Sequence, residues 1–361
     1  MKHWKETARI FERLVRLAAA DRRAALATVV RIEGSAYRRP GAKLLVEEDG
    51  EALGSISGGC LEGDVREIAL AVLADGAPRR RRYDTGADEN EAWGLGLGCA
   101  GSVEIFVQPA ATAQTRAAIE RGLELFAEGR PFALWTRVAG EAAGAMAAVD
   151  ADGGIAGSLG GGEDEGALRR RAAEGIAGRV SRLVDDPGGE IFADVLLPAP
   201  HLVVFGADED TRPLVTLAAA AGFDVAVVDH REALLAAERF PEAERRVVRR
   251  PEEGLAGLSI GPRTFAVVKT HLIAHDREWA RRLLGAGAGY VGLLGPRART
   301  QEIVREIGAE SDDRVYGPVG LDLGAEGPEQ VALSIVAELL AAGSGVEPRH
   351  LRTKAREIHA R

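Results

Sequence analysis

Cysteine is scarce in this chain, because the 361 residues include only Cys60 and Cys99. Neither lies in a CxxC motif or in a Cys/His spacing, so the sequence lacks the usual patterns of a structural zinc site. Such sparing use of cysteine fits a reducing compartment. We therefore expect a cytoplasmic protein.

Long apolar runs are also missing. Even LVTLAAAAG, which begins at Leu214, is much shorter than the roughly 20 residues of a membrane span. The segment 1–23 carries charges throughout and so lacks the apolar core of a secretory signal. We expect no cleavage at this end and no insertion into a membrane.

A surplus of positive charge is the third feature that the sequence lacks. Lys and Arg number 46 against 55 Asp and Glu, a net charge of −9, and such a molecule repels a phosphate backbone. No basic face with interleaved aromatic residues offsets this, so nucleic acid is not an expected partner. The length and a hydrophobic content of 46% suit a globular protein of two domains.

The first part of the chain mixes helix and strand patterns. A helical stripe is formed by Trp4, Ala8, Phe11, Val15 and Ala18. Residues 26–32 are rich in β-branched side chains and predict a strand, and Asp49-Gly50 between two apolar stretches predicts a hairpin turn. Helices are predicted over 61–74 and 112–128. These patterns indicate an α+β domain.

The pattern changes at Pro198-Ala199-Pro200. From His201 the order is strand, glycine turn, helix and strand, a βαβ unit, and further apolar strands alternate with helical stretches. The predicted fold class is α/β, with an amino-terminal α+β domain followed by a Rossmann-like, doubly wound parallel-sheet domain. The predicted boundaries are 1–197, 198–345 and, for a helical carboxy-terminal tail, 346–361.

The sharpest local feature is the loop GSISGGCLEGD, which places Gly58, Gly59 and Cys60 at the head of a helix. Backbone amides at a helix start stabilise an anion, so this position favours a Cys60 thiolate. The two glycines would let a bulky ligand approach the backbone closely. A buried cysteine that fills a gap behind a tight turn fits the same pattern.

Cys99 lies in a second glycine-rich segment, WGLGLGCAGSVEIFV, which begins at Trp93. If both loops line one cleft, the two cysteines could bind a soft metal centre or sulfur, or close as a redox disulfide. An inert core cysteine at the start of a strand is the alternative.

Four segments resemble the XdhC/CoxI family of xanthine dehydrogenase accessory factors. GSISGGCLEGD and GLGLGC are similar to the signatures of the family's amino-terminal domain, and both cysteines match. The segment from His201 to Arg231 resembles the family's Rossmann opening, and YVGLLGPRART with GPVGLDLGAEGPEQ resembles its carboxy-terminal hallmark. The segments occur in the family's order, which makes the resemblance specific.

The resemblance implies a cofactor chaperone rather than an enzyme with a catalytic residue of its own. It implies that molybdenum cofactor, as molybdopterin or its dinucleotide form, is bound, presented to a cysteine desulfurase for sulfuration and inserted into a molybdenum hydroxylase apoenzyme. Cys60 and Cys99 become candidates for contact with the molybdenum centre, because a thiolate suits a soft metal. The candidate cofactor-binding residues of the first domain are Ser57, Gly58, Gly59, Cys60, Glu62 and Cys99. We also expect a homodimer, the commonest oligomer.

The Rossmann-like domain is expected to bind the pterin or nucleotide portion of the cofactor. Its candidate residues are Gly206, Asp229, His271 and Asp322. Asp229 stands where a ribose-binding acid would, although strand-end aspartates are common. Asp322 either contacts the ligand or caps its turn. His271 is a wall residue of the crevice, or it ligates a metal with His275, because a spacing of four places both on one helix face.

The first Rossmann turn departs from the family's usual GAGH. Asp208 replaces the second glycine, so its side chain obstructs a phosphate, and Asp208, Glu209 and Asp210 would repel a pyrophosphate. This argues against ordinary NAD(P) binding. Two rival functions stay open here: an NAD(P)-dependent oxidoreductase, and a redox-switched binding protein whose two sulfurs lie close together.

Overall fold

The computed structural model describes residues 2–34, 38–84, 101–110, 112–161 and 164–353. The chain divides between Pro198 and Ala199 into two compact units, each described here by itself. Within the described ranges, no helix combines the length and the apolar character that crossing a membrane would require.

The first unit contains two five-stranded sheets, in the orders β3-β2-β1-β5-β4 and β8-β7-β6-β10-β9. The two orders become identical when the numbering is shifted by five, so the same motif occurs twice in tandem. Its elements are α1 Lys2–Ala19, β1 Ala24–Gly34, β2 Lys43–Glu47, β3 Ala52–Gly54, α2 Glu62–Asp75, β4 Arg79–Asp84 and β5 Gly101–Ala110, then α3 Ala113–Ala127, β6 Phe132–Arg137, β7 Met146–Asp150, β8 Ile155–Gly157, α4 Glu165–Gly178, β9 Arg182–Asp186 and β10 Gly189–Leu196.

The sequence carries a trace of this duplication. Residues 46–63 read VEEDGEALGSISGGCLEG and residues 149–166 read VDADGGIAGSLGGGEDEG, with nine positions of the 18 identical. The strand registers agree as well, because Leu44 pairs with Gly54 and, in the second repeat, Ala147 pairs with Gly157. Each repeat therefore places a glycine-rich loop between its third strand and its second helix.

The repeats also share a buried electrostatic contact. A carboxylate at the end of the second strand is held by two arginines, one from the first helix and one from the turn before the first strand. The two sets are Glu47 with Arg13 and Arg22, and Asp150 with Arg121 and Arg130.

Two contacts between the repeats correspond to each other when the two repeats are exchanged. Lys43 of β2 forms a buried ion pair with Asp194 of β10. The corresponding residues of the opposite strands are Met146 of β7 and Gln108 of β5, and the Gln108 Nε2 lies 3.1 Å from the Met146 Sδ. Since exchanging the repeats converts one contact into the other, the repeats are related by a pseudo-twofold axis.

The core of the first unit is built from both repeats. Residues of α1 and α3 pack together with residues of both sheets, and the Trp4 and Phe126 rings meet edge to face at 4.5 Å. The predicted stripe of α1 is partly wrong, because Val15 is 36% exposed whereas Leu14 and Leu17 are buried. The larger leucine side chains, rather than the valine and the alanines, face the aromatic cluster.

The second unit is a parallel six-stranded sheet in the order β13-β12-β11-β14-β15-β16. Its elements are β11 His201–Phe205, α5 Thr211–Ala221, β12 Asp224–Asp229, β13 Arg245–Val248, β14 Thr264–Val268, α6 Ile273–Gly285, β15 Tyr290–Leu293, α7 Arg297–Glu306, β16 Val315–Tyr316 and α8 Pro328–Ser344. The strand order reverses direction between β11 and β14. The α/β fold class and the Rossmann-like, doubly wound sheet are thus confirmed, and ligands bind such sheets at the carboxyl ends of the strands beside this switch point.

The tail departs from its predicted helix. Gly345 ends α8 in the left-handed conformation with φ 65°, and Pro348 follows three residues later. Among the described residues beyond α8, only Leu351–Thr353 form a turn of 3-10 helix. Residues 354–361 lie outside the described part.

Candidate functional site

The loop that carries Cys60 connects β3 to α2. Gly58 and Gly59 both have positive φ, at 98° and 122°, and Cys60 follows them with an exposed side chain. The buried gap-filling cysteine considered from the sequence is therefore excluded. Among the described residues, a Cβ placed on Gly59 would meet no atom within 4 Å, so this glycine serves the backbone conformation at φ 122°.

Glu62, the first residue of α2, folds back and is held by the loop. Its Oε1 accepts hydrogen bonds from the amides of Ile56, Ser57 and Gly58 at 3.0–3.2 Å. Its Oε2 accepts from the amides of Gly59 and Leu61 and from the Ser57 hydroxyl. Burial raises the pKa of Glu62, but the bonds from Ser57 and the other donors outweigh it and lower the pKa to about 2.

These bonds correct one part of the sequence interpretation. The loop amides were expected to stabilise a Cys60 thiolate, but the structure directs them to the Glu62 carboxylate. Ser57, Gly58 and Gly59 thus come together with Glu62 in one network, and Cys60 projects beside it. Cys99 lies outside the described residues.

The described residues of the second repeat do not reproduce this network. Glu165 corresponds to Glu62, yet its carboxylate is 62% exposed and pairs with Arg169 on the next turn of α4, at 2.9 Å. Asp164 caps this helix instead, accepting from the Gly166 amide. The two glycine-rich loops therefore differ at the position of Glu62 and Glu165, whose carboxylate holds only the first loop together.

Gly206, at the end of β11, has a packing role. Its φ is 116°, and a Cβ at this position would lie 2.5 Å from the carbonyl oxygen of Lys269. The glycine lets the first Rossmann turn pass directly against the end of β14. Close approach of two backbones, rather than of a phosphate, accounts for it.

Asp229, at the end of β12, is 5% exposed and closes the first turn. It accepts a hydrogen bond from the Ala207 amide at 2.8 Å and several from Arg231. Burial raises the pKa of Asp229, but these bonds, foremost those from Arg231, lower it to about 2. Arg231 also reaches Asp208 at 3.1 Å, so the carboxylate that replaces the family's second glycine is held by a cation. Asp229 therefore affects the crevice indirectly, by holding the Ala207 amide and the Arg231 side chain in place.

Lys269, which the sequence interpretation missed, lies at the centre of the crevice. Its side chain is only 2% exposed, and its Nζ donates to Asp210 Oδ1 at 2.6 Å and to Thr211 Oγ1 at 2.8 Å. The available signal was an ionisable residue directly after the apolar strand TFAVV, because such a position falls at the ligand edge of a parallel sheet.

His271 and His275 do not share a helix face, because α6 begins only at Ile273. His271 lies in the preceding turn with φ 62°, and its Nε2 is 3.8 Å from Asp208 Oδ2 and 3.9 Å from Asp210 Oδ2. His275 packs against the His230 ring at 5.4 Å. The structure thus brings His271 to the same edge as Gly206 and Asp229.

Asp322, in the loop between β16 and α8, is exposed. Within the described part of the chain, its carboxylate has no hydrogen-bond partner, so it does not cap its turn. The loop is held instead by Glu338, which accepts from the Gly320 amide at 2.9 Å, and by Ser334. Among the described residues, one group of carboxylates has the spacing of metal ligands: Glu47, Asp49 and Glu51. Arg22 already pairs with two of them, Glu47 and Asp49.

Two family models match the chain. Residues 202–339 match the model described as the XdhC Rossmann domain. Residues 17–84 and 125–185 both match the XdhC and CoxI family model, in agreement with the tandem repeat.

Several known proteins are similar over most of their length. A Bacillus subtilis protein named as a probable xanthine dehydrogenase subunit is 33% identical over 320 residues, 88% of this chain and 92% of the relative. The molybdenum cofactor insertion chaperone PaoD of Escherichia coli is 24% identical over 321 residues, 88% of this chain and 82% of the relative. A crystal structure described as a xanthine dehydrogenase from Bacillus halodurans has a TM-score of 0.77 and 29% identity, covering 96% of this chain and 98% of its own.

Proposed function

This chain belongs to the XdhC and CoxI family, and from that premise we propose that it is an accessory factor that binds molybdenum cofactor and inserts it into a xanthine dehydrogenase-like molybdenum hydroxylase. The cofactor is its cargo, and the chain supplies binding and protection rather than a catalytic residue. The similarity to a molybdenum cofactor insertion chaperone supports this proposal. A cysteine desulfurase, which supplies sulfur to the bound cofactor, and a second copy of the chain are its further proposed partners.

The exposed Cys60 is the observation that carries the proposal. A thiolate is a suitable ligand for a soft, sulfur-rich metal centre, and among the described residues Cys60 is exposed and no atom would contact a Cβ on the neighbouring Gly59. Glu62 is a positioning residue: by accepting the hydrogen bonds of the loop, it holds the conformation from which Cys60 projects. Cys99 is proposed as the second sulfur of this site on the basis of its sequence motif.

The Rossmann-like unit is proposed to bind the organic end of the cofactor. Gly206, Asp229, His271 and Lys269 lie at the carboxyl edge of the sheet, where doubly wound folds bind ligands. Asp322 is exposed in the loop before α8 and stays a proposed contact. The Asp208 side chain argues against NAD(P), because it obstructs the close approach of a pyrophosphate to the first Rossmann turn.

Cofactor retention by purified protein tests the proposal. The chain is incubated with molybdenum cofactor, unbound cofactor is removed, and retained molybdenum and pterin are measured by mass spectrometry and fluorescence. We expect retention by the unchanged chain and at least about a tenfold loss in Cys60→Ser, since a ligand bond to the metal is removed.

Glu165→Gln is the matched control, because it changes the corresponding glycine loop without touching Cys60 or Glu62. It should retain cofactor normally. Normal retention and normal activation of the apoenzyme by Cys60→Ser would overturn the role of Cys60. Failure of the unchanged chain to retain cofactor, together with tight binding of NADH, would overturn the proposal and favour an oxidoreductase.

A further inference from the structure

Beside the switch point of the second unit lies a cavity of about 330 Å³. This volume is at the lower end of the range of small-molecule sites. Its walls come from α5, the end of β15 and the start of α8, and most are apolar. The lining residues are Asp210, Leu214, Lys269, Leu294, Gly327, Pro328, Val331, Ala332 and Ile335.

The only charged groups in this lining are Lys269 and Asp210. Lys269 is 2% exposed, and its ammonium carries three N–H donors. Among the described residues it has two acceptors, Asp210 Oδ1 and Thr211 Oγ1. One donor of a buried cation is therefore available to a ligand, and a buried donor left without an acceptor is costly.

Asp210 offers the matching acceptor. Its Oδ1 binds Lys269, whereas its Oδ2 lies 3.9 Å from His271 Nε2, which is beyond hydrogen-bond distance. A spare N–H donor and a spare carboxylate oxygen thus lie side by side in an apolar cavity. A flat ring that carries a carbonyl next to an N–H, a lactam edge, would satisfy both groups at once.

We propose that this cavity binds a bicyclic lactam ring of the pterin or guanine class. The ring carbonyl accepts from Lys269, the ring N–H donates to Asp210, and Leu214, Leu294, Val331 and Ile335 cover the faces of the ring. Such a ring is uncharged, so Asp208, Glu209 and Asp210 do not repel it as they would a phosphate. The choice of the pterin as the physiological ring rests on the proposed function, since molybdenum cofactor contains one.

The test uses free rings and the full-length chain. The binding of 6-hydroxymethylpterin is followed by its fluorescence and that of guanosine by calorimetry. The key comparison is 2,4-diamino-6-hydroxymethylpteridine, in which an amino group replaces the carbonyl and the N–H of the lactam edge is lost. We expect the pterin or guanosine to bind at least about tenfold more tightly than the diamino ring.

Two variants on the same helix locate the site. Val331→Trp fills the cavity and should abolish binding of the lactam ring. Leu333→Trp, two residues further at a side chain that is 53% exposed, should leave binding unchanged. Asp210→Asn should weaken binding at least about tenfold, and Val331→Trp keeps the test decisive if the Asp210 variant is unstable.

Saturable binding that is lost in Val331→Trp and kept in Leu333→Trp supports the assignment, and the tighter of the two rings identifies its source. Equal binding of the diamino ring, or no saturable binding of either lactam ring at millimolar concentration, overturns it. The free rings contain neither metal nor sulfur, so Cys60→Ser should not affect them. Ring binding without cofactor retention would therefore refute the proposed function alone, and cofactor retention without saturable binding of either lactam ring would refute this inference alone.

Discussion

At the scale of single residues, Glu62 is the group whose role the structure changes most. Its position in the motif suggested a ligand contact, but its carboxylate accepts hydrogen bonds from the loop on which Cys60 sits. Sequence could identify the loop, the glycines and the cysteine from their composition. The sequence does not indicate which acceptor the loop amides bind, since that depends on how the Glu62 side chain, at the start of α2, folds back over the loop.

This carboxylate should make the stability of the first unit depend on pH. The folded pKa of Glu62 is about 2 against an ordinary value of 4.5. Its contribution is therefore fully present above pH 4.5 and is lost as the pH falls towards 2. We expect Glu62→Gln to lower the free energy of unfolding at pH 7 by about 1–2 kcal/mol, because charged hydrogen bonds are replaced in a partly exposed loop.

Urea denaturation at several pH values measures this effect. The difference in stability between the unchanged chain and Glu62→Gln should shrink below pH 4.5. Glu165→Gln, which removes a surface carboxylate that pairs with Arg169 among the described residues, should cost less than about 0.5 kcal/mol. A constant difference from pH 7 to pH 3 would show that the Glu62 charge does not stabilise the loop.

At the scale of secondary structure elements, α1, α2, α3 and the βαβ pattern could be predicted because their apolar periodicity is strong. In the first unit, the elements β4, β7, β8, β9, β10 and α4 were missed. β4 is the arginine-rich run Arg79–Asp84, whose sequence does not look like that of a strand. Arg80 pairs with Glu104 and Glu190, and Arg82 pairs with Glu33. Charge pairing across strands replaces the apolar alternation that identifies most strands.

The contact between β2 and β10 supports a prediction drawn from its symmetric counterpart. Lys43→Met or Asp194→Gln alone leaves one buried charge without its partner and should cost about 3–5 kcal/mol. The double variant Lys43→Met/Asp194→Gln copies the Met146–Gln108 pair of the same fold. We expect it to be more stable than either single variant, measured by thermal or urea unfolding.

The critical result of this double-mutant cycle is a double variant whose loss of stability is smaller than the sum of the two single losses. The reverse exchange, Met146→Lys/Gln108→Asp, is the matched control at the symmetric position. If the cost of the double variant equals the sum of the two single costs, the contacts are not interchangeable and the pseudo-twofold relation would not extend to their energetics.

At the scale of the whole molecule, the division into an α+β part and a Rossmann-like part could be read from the sequence, whereas the duplication in the first part was missed. The similarity between residues 46–63 and 149–166 is present in the sequence. Residues 7–33 and 115–141 share a further 11 of 27 positions, at an offset of 108 rather than 103, and strand order and register complete the equivalence. Those depend on contacts between residues distant in the chain.

The duplication predicts the cofactor stoichiometry. Glu163 occupies the sequence position in the second loop that Cys60 occupies in the first, and with the described residues Glu165 makes no network like that of Glu62. Only the first loop therefore carries the thiol. We expect one molybdenum per chain when the protein is saturated with cofactor, measured by elemental mass spectrometry against protein concentration. A ratio of two would mean that the second loop binds cofactor without a thiol.

The pseudo-twofold axis also records how such a chain could arise. A single repeat buries its sheet and helix against a surface with the same topology as its own, so one copy would associate with another copy as a symmetric dimer. Joining two copies in one polypeptide freed each half to change independently. One half carries a cysteine loop held by the partly buried Glu62 carboxylate, whereas the other has no cysteine in its loop and still supplies the surface on which its sister folds.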